Sequence, residues 1–137
     1  MKTQLDPEET YLVYNAIQTP DGTVLESRHR HDFVSHKDAN GYVYFVDGGL
    51  AYRRVGCHKD APFPKNLSKS LPSCPLEEAV KIPIWGTYGK SGNEPLKYVA
   101  VADMDTEHLK NVLDNQNVLE QIAYLMEWEL ERRIILS

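Results

Sequence analysis

Two turn signals in the first third of the chain restrict its fold more than any other feature. Thr19-Pro20-Asp21-Gly22 combines a proline that fixes φ with a glycine that accepts a positive φ. Asn40-Gly41 is a strong short hairpin signal. The stretches beside both turns are rich in β-branched and aromatic residues. The pattern predicts strands at residues 10–18, 23–35 and 42–46 that form an antiparallel meander.

The middle of the chain predicts a long connection followed by two more strands. Residues 56–78 contain four prolines among serines and lysines, and we expect an ordered but irregular loop there. Residues 80–85 and 96–101 read as strands. Pro83 places the first of them at a sheet edge or bulge, because proline cannot donate to a central ladder.

Two helices are expected to end the chain. Asp105 is a suitable N-cap for a helix over residues 106–113, and Asn117 with Glu120 resembles a capping box for the last helix. Strands first and helices last indicate an α+β fold, with an antiparallel sheet of about five strands followed by two C-terminal helices. We expect residues 1–137 to form a single domain.

The charge distribution favours a small anionic ligand over a long one. The chain of 137 residues has a net charge of −5, but residues 23–70 carry eight Lys or Arg against five Asp or Glu. A locally basic surface on an acidic body suits a small anion and argues against generic DNA binding. The chain has no apolar run near 18 residues and no apolar signal region at its N-terminus, so we expect no membrane span.

The run Arg28-His29-Arg30-His31-Asp32 is the densest group of chemically capable side chains in the sequence. If it lies in a strand, Arg28, Arg30 and Asp32 share one face and the two histidines share the other. Two guanidinium groups along one face suit bidentate binding of phosphate or carboxylate, with Asp32 orienting one of them.

Further candidate ligand-binding residues follow the third predicted strand. They combine an acid, two glycines that allow close backbone approach, a ring for stacking and two cations, namely Asp47, Gly48, Gly49, Tyr52, Arg53 and Arg54. A four-residue second turn would place Asp32 opposite Asp47 and Phe33 opposite Val46. The same set also fits a cross-strand salt-bridge ladder that only stabilises the sheet.

Other chemistry at these residues stays open. His29 and His31 could act in general acid–base catalysis, bind a metal with another histidine, or serve only as hydrogen-bonding partners. Their spacing matches no specific zinc pattern, so we expect neither a metal nor another cofactor. Residues 86–92 are glycine-rich but lack the first glycine of a P-loop. Lys90 in this loop remains a candidate phosphate contact.

The chain resembles a small accessory protein family of tailed bacteriophages. The resemblance rests on Arg28-His29-Arg30-His31-Asp32, Asp38-Ala39-Asn40-Gly41, Val46-Asp47-Gly48-Gly49, Tyr52-Arg53-Arg54 and Trp85-Gly86-Thr87-Tyr88-Gly89-Lys90. The resemblance covers most of residues 19–116. It implies action in the cytoplasm of an infected bacterium, in host takeover or in countering host defence. It supplies no catalytic residues.

Three functions follow as hypotheses. The first is a protein, expected to be a homo-oligomer, that binds a small anionic nucleotide-like ligand without turnover. The second is a small phosphoesterase or nucleotide-modifying enzyme that uses His29, His31 and Asp32. The third is an inhibitor that binds a host protein through the acidic helical end of the chain.

Overall fold

A computed structural model of the chain confirms the α+β class. It describes residues 3–89 and 91–136, which form several small antiparallel sheets and two C-terminal helices. The chain divides into two compact units. We call residues 11–70 the strand unit, and residues 3–10 and 71–136, without residue 90, the helical unit.

Short strands account for most of the regular structure in the strand unit. The irregular loop expected at 56–78 contains two of these strands, Lys65–Asn66 and Lys69–Leu71, and the end of a third at Cys57. The strands are β1 Tyr11–Tyr14, β2 Ala16–Gln18, β3 Val24–Glu26, β4 Val34–Lys37, β5 Val43–Asp47, β6 Arg54–Cys57, β7 Lys65–Asn66 and β8 Lys69–Leu71. Two antiparallel sheets have the orders β3-β2-β7 and β4-β5-β6.

The first predicted turn is present. The Gly22 amide donates to the Thr19 carbonyl at 2.9 Å, and Gly22 has a φ of 91°. The Asp21 carboxylate accepts from the Thr23 amide at 3.2 Å. Gly22 therefore has the positive φ that the sequence predicts, and the turn joins β2 to β3.

The second turn is one residue shorter than predicted. The Asp38 amide donates to the Tyr42 carbonyl at 2.9 Å, which leaves a three-residue loop that ends in Gly41 at φ 83°. Val34 consequently pairs with Val46, so the predicted pairing of Phe33 with Val46 is wrong by one residue. A shift of one residue exchanges the two faces of a strand relative to its partner.

Residues 23–35 do not form one strand. β3 ends at Glu26, β4 begins at Val34, and residues 27–33 make a turn between them. The Asp32 carboxylate accepts from the Arg28 amide at 2.8 Å, and the Ser27 hydroxyl donates to the Asp32 carbonyl at 2.7 Å. These local side-chain bonds replace a sheet ladder. The predicted separation of arginines and histidines by strand alternation is therefore wrong.

A small apolar core lies between the two sheets of the strand unit. Ile17 and Leu25 from one sheet pack with Tyr44 and Val46 from the other, and all four are buried. Val34 also packs against this cluster. Alternation along β4, β5 and β6 therefore points the intervening side chains away from this core.

In the helical unit, the predicted elements are present with shifted boundaries. The first strand begins at Pro83, a strand start being one of the few positions that tolerates proline. The elements are α1 Leu76–Ala79, β9 Pro83–Thr87, β10 Lys97–Ala100, a 3-10 turn Val101–Asp103, α2 Thr106–Asn115 and α3 Glu120–Leu136. β9 and β10 pair antiparallel. Among residues 3–89 and 91–136, no helix has the length and apolarity that crossing a membrane requires.

The first of the two C-terminal helices starts at the predicted residue, and the second does not. Asp105 precedes α2, but its side chain makes no capping hydrogen bond. α3 begins at Glu120, where the amides of Ile122 and Ala123 donate to the Leu119 carbonyl at 3.0 Å. The capping box predicted from Asn117 is therefore wrong, because the helix starts too late for that asparagine to cap it.

Glu129 is the buried ionic centre of the helical unit. Its side chain is fully buried and accepts from the Arg132 guanidinium at two distances of 2.7 Å and from Arg133 Nε at 2.8 Å. Arg133 also donates to the Thr106 hydroxyl at 3.0 Å and to the Ala102 carbonyl at 3.2 Å. The Glu129 carboxylate thus orients Arg133, which connects α3 to Thr106 at the start of α2.

We predict that Glu129→Gln destabilises the protein and reduces its sensitivity to acid. Burial alone raises the pKa of Glu129, but the bonds and charges of Arg132 and Arg133 leave that pKa below its usual value near 4.5. The carboxylate therefore adds stability above pH 4.5, which is lost as the pH falls through the folded-state pKa. Breaking a buried pair costs about 3 kcal/mol of unfolding free energy at neutral pH.

Urea denaturation at a series of acidic to neutral pH values measures both effects. Glu120→Gln is the matched control, since that residue is exposed in the first turn of the same helix. Equal stability of Glu129→Gln and the wild type at neutral pH would contradict the assignment.

Candidate functional site

Two turns of the strand unit lie against each other and form the candidate site. We call residues 28–32 the basic turn and residues 48–52 the glycine turn. A Cβ on Gly49 would lie 2.4 Å from the backbone carbonyl carbon of His29, and one on Gly48 would lie 2.1 Å from the Tyr52 carbonyl oxygen. Both glycines have positive φ. The absence of a side chain at each glycine therefore allows other backbone of this chain to approach closely.

Ser27 joins the two turns. Its hydroxyl accepts from the Gly49 amide at 2.8 Å and donates to the Asp32 carbonyl at 2.7 Å. Its own amide donates to the Asn15 carbonyl at 2.9 Å. One buried serine thus holds both turns to the break between β1 and β2.

Asn15 is a buried residue that sequence analysis missed. Its amide nitrogen donates to the carbonyls of Asp47, Gly49 and Tyr52 at 3.2, 2.9 and 3.3 Å. It is 1% exposed, and no described residue bonds its side-chain oxygen. The sequence places this asparagine in the middle of the predicted strand at residues 10–18. A polar side chain that is buried in a strand needs hydrogen-bonding partners, and this requirement could have identified Asn15.

The predicted arginines do not act as one pair. Arg28 donates to the Glu26 carboxylate at 3.1 Å. Arg53 donates to the Ala16 carbonyl at 3.2 Å and to the Asn66 side chain at 2.8 Å. Both cations are therefore engaged within the fold, and burial lowers the pKa of Arg53.

Arg30 and Arg54 are the more exposed cations of the site. Arg30 lies at the tip of the basic turn, and no described residue binds its exposed side chain. Arg54 donates to the Asp47 carboxylate at 3.0 Å, yet its side chain keeps 61% exposure. Of the four candidate arginines, these two offer their guanidinium groups most directly to a ligand.

His31 has an unusual backbone conformation. Its φ of 66° makes it the one non-glycine residue with positive φ in the parts of the chain that the structure describes. Such a conformation carries strain in a residue with a Cβ and is enriched at functional sites. The side chain is exposed, and its Nδ1 lies 3.0 Å from the Tyr52 hydroxyl.

A chain of hydrogen bonds connects His31 to a buried carboxylate. The Tyr52 hydroxyl donates to Asp47 Oδ2 at 3.2 Å, and Asp47 is 4% exposed. Burial, and then the bond to Asp47 and its charge, raises the pKa of Tyr52, so the phenol keeps its proton. Because that proton goes to Asp47, His31 Nδ1 must donate to the phenol oxygen. The neutral ring then has its other nitrogen, Nε2, as a free acceptor.

The two predicted acids have different roles from those expected. Asp32 accepts the Arg28 amide and holds the turn, with His29 Nε2 at 3.7 Å from its other oxygen. Asp47 is buried, and no described residue bonds its second carboxylate oxygen. It binds Tyr52 and Arg54. The predicted position of Asp32 opposite Asp47 is wrong, because Asp32 lies in a turn before β4 begins.

The remaining sequence candidates lie outside this group. Lys90 falls outside the described residues. Within residues 3–89 and 91–136, no three His, Cys, Asp or Glu side chains come together in a way that could hold a metal ion. The candidate site therefore consists of the basic turn, the glycine turn, Asp47 and Arg54.

Comparisons with known proteins assign no role to these residues. No family model matches the chain, and no curated protein or solved structure matches it. The roles assigned to these residues rest on the distances and burial given above.

We predict that Tyr52→Phe changes the tautomer of His31. In the wild type, neutral His31 carries its proton on Nδ1, and the variant removes the acceptor that fixes this state. Nitrogen-15 NMR of the histidine rings distinguishes the two tautomers. Loss of a donor to buried Asp47 also lowers the unfolding free energy by about 1–3 kcal/mol.

Tyr14→Phe is the matched control, because the Tyr14 hydroxyl donates to the Glu26 carboxylate at 2.8 Å and does not bond His31. This control should leave the His31 nitrogen shifts unchanged. A wild-type ring protonated on Nε2, or a Tyr52→Phe spectrum identical to the wild type, would contradict the hydrogen-bond chain.

Proposed function

We propose that the chain binds a small anionic, nucleotide-like ligand at the basic turn without turnover. The observation that carries this proposal is the pairing of two side chains at the turn tip. Arg30 is exposed with no bonding partner among the described residues, and His31 next to it is oriented through Tyr52 by a buried aspartate. The Arg30 guanidinium donates to phosphate oxygens, and the Nε2 acceptor of neutral His31 suits a hydroxyl group of the same ligand.

The rigidity of the turn supports a binding role. Its backbone is fixed by Ser27, by the Asp32 carboxylate and by close contact with Gly49. A preorganised site loses less conformational entropy when a ligand binds. The strand unit is also where the positive charge of the chain is concentrated, which attracts anions to this part of the protein.

The carboxylates of the site support binding rather than catalysis. Asp32 is used to hold the Arg28 amide, and Asp47 is buried behind Tyr52 and Arg54. Hydrolysis usually needs an exposed acid or base in addition to a cation. Asp32, which the enzyme hypothesis uses together with His29 and His31, therefore holds the turn and is not placed to act as a general acid or base.

The biological setting of this proposal comes from the resemblance to tailed-phage accessory proteins. A binding protein without turnover would act by sequestering a nucleotide in the cytoplasm of the infected host, in host takeover or in countering defence. The expected homo-oligomer and host-protein partner remain predictions.

We predict that Arg30→Gln weakens binding of nucleoside triphosphates and of pyrophosphate about ten- to hundredfold, because one charge-assisted phosphate contact is lost. Isothermal titration calorimetry at low salt measures this change. Lys59→Gln is the matched control, since Lys59 is another exposed cation of the strand unit. No measurable binding of any of these anions by the wild type, or equal affinities of the two variants, would contradict the proposal.

A second candidate function is hydrolysis of a phosphate ester. The free Nε2 of His31 and its link to Asp47 through Tyr52 favour it, since an oriented imidazole can act as a general base. A water oxygen would attack phosphorus while its proton moves to Nε2. The P–O bond to the leaving oxygen would break with the electron pair on that oxygen, which then takes a proton from solvent.

Phosphorus NMR of nucleotides incubated with the protein separates the two functions. Product that accumulates with the wild type but not with His31→Gln would establish the enzyme. Nucleotides recovered unchanged, with and without magnesium, would exclude it and leave the binding function standing.

A further inference from the structure

We propose that the outer face of the β4-β5-β6 sheet carries a stacking surface for the base of a nucleotide, and that Phe33 is the residue that contacts it. This inference rests on the proposed function, since it assigns the aromatic part of the ligand whose phosphate binds the basic turn. It would make Phe33 a determinant of nucleotide specificity that the sequence candidates did not include.

Phe33 and Phe45 form a stacked pair on this face. Their ring centroids lie 4.8 Å apart with an interplanar angle of 24°. Phe33 remains 53% exposed, so part of its ring is open to solvent. One face of its ring is covered by Phe45, so a planar ligand can stack on the other.

The neighbouring strand is shaped to accept this pair. Gly56 lies opposite Phe45 in the register of β5 and β6. A Cβ on Gly56 would lie 2.4 Å from a ring carbon of Phe45. The missing side chain lets the Phe45 ring lie close to β6, and Phe33 stacks on that ring from the residue just before β4.

Arg54 links the aromatic pair to the anion site. Its guanidinium carbon lies 5.3 Å from the centroid of Phe45 and 5.9 Å from that of Phe33. The same guanidinium donates to Asp47, which accepts from Tyr52, the partner of His31. A continuous series of contacts therefore runs from the stacking surface to the basic turn.

Charge complementarity selects the occupant of this surface. An uncharged apolar partner would leave Arg30 and the exposed part of Arg54 unused. A nucleotide combines a planar base, which stacks on an aromatic ring and tolerates a nearby guanidinium, with phosphates for the cations. The chemistry of both halves of the surface is then matched by one small molecule.

The test compares a ligand that carries a base with one that has phosphates but no base. ATP and pyrophosphate are titrated calorimetrically into the full-length wild type and Phe33→Leu, a variant that keeps apolar contact with Phe45 but removes the ring. We expect ATP affinity to fall about tenfold in the variant, as for the loss of one base–aromatic stack, while pyrophosphate affinity stays unchanged. Phe33→Trp should retain or raise ATP affinity.

Phe63→Leu is the matched control, because Phe63 is 76% exposed in the same unit and is not part of the stacked pair. It should leave both affinities unchanged. Equal ATP affinities of the wild type and Phe33→Leu would overturn the stacking proposal while leaving anion binding intact. Failure of both ligands to bind the wild type would overturn the proposed function itself.

A second copy of the chain is the alternative occupant of this face. In that case Phe33→Leu would lower the molar mass measured by light scattering at a fixed protein concentration and would not change ATP affinity. That combination would also overturn the proposal.

Discussion

The contact between the glycine turn and the basic turn is the constraint on which the candidate site depends. Gly49 lies so close to the backbone of His29 that no Cβ fits between them. Ser27 then bonds both turns, and the Asn15 amide binds three carbonyls, two of them in the glycine turn. Because these bonds are buried or partly buried, each would be costly to leave unmade, and together they hold the tip of the basic turn in one conformation.

Holding the turn in place gives its side chains their chemistry. His31 is kept at a φ that disfavours residues with a Cβ, and its ring is tied to Tyr52. The buried Asp47 sets the direction of the hydrogen bonds from His31 through Tyr52, so the free nitrogen of the imidazole becomes an acceptor. The strained backbone of His31 is held by the contacts around it and lies near a buried carboxylate. Binding and catalytic sites often combine these two features.

Local signals predicted the elements of the fold better than their pairing. The Pro20-Asp21-Gly22 turn, Gly41 and the two C-terminal helices were predictable, because turn chemistry and helical periodicity act within a few residues. The break at 27–33 was not, because it depends on Ser27 and Asp32 finding partners across the turn. The same holds for the site. The residue types were identified, but which arginines are engaged within the fold depends on Glu26, Asn66 and the Ala16 carbonyl.

Chemical-shift changes in the wild-type amide spectrum during titration with ATP test the central claim most directly. If the basic turn and the adjoining sheet face bind a nucleotide, the largest changes occur at Arg30, His31, Phe33 and Arg54. Smaller changes are expected at Ser27 and Gly49, which support the turn from behind. Large changes confined to α2 and α3, with the basic turn unaffected, would contradict the account.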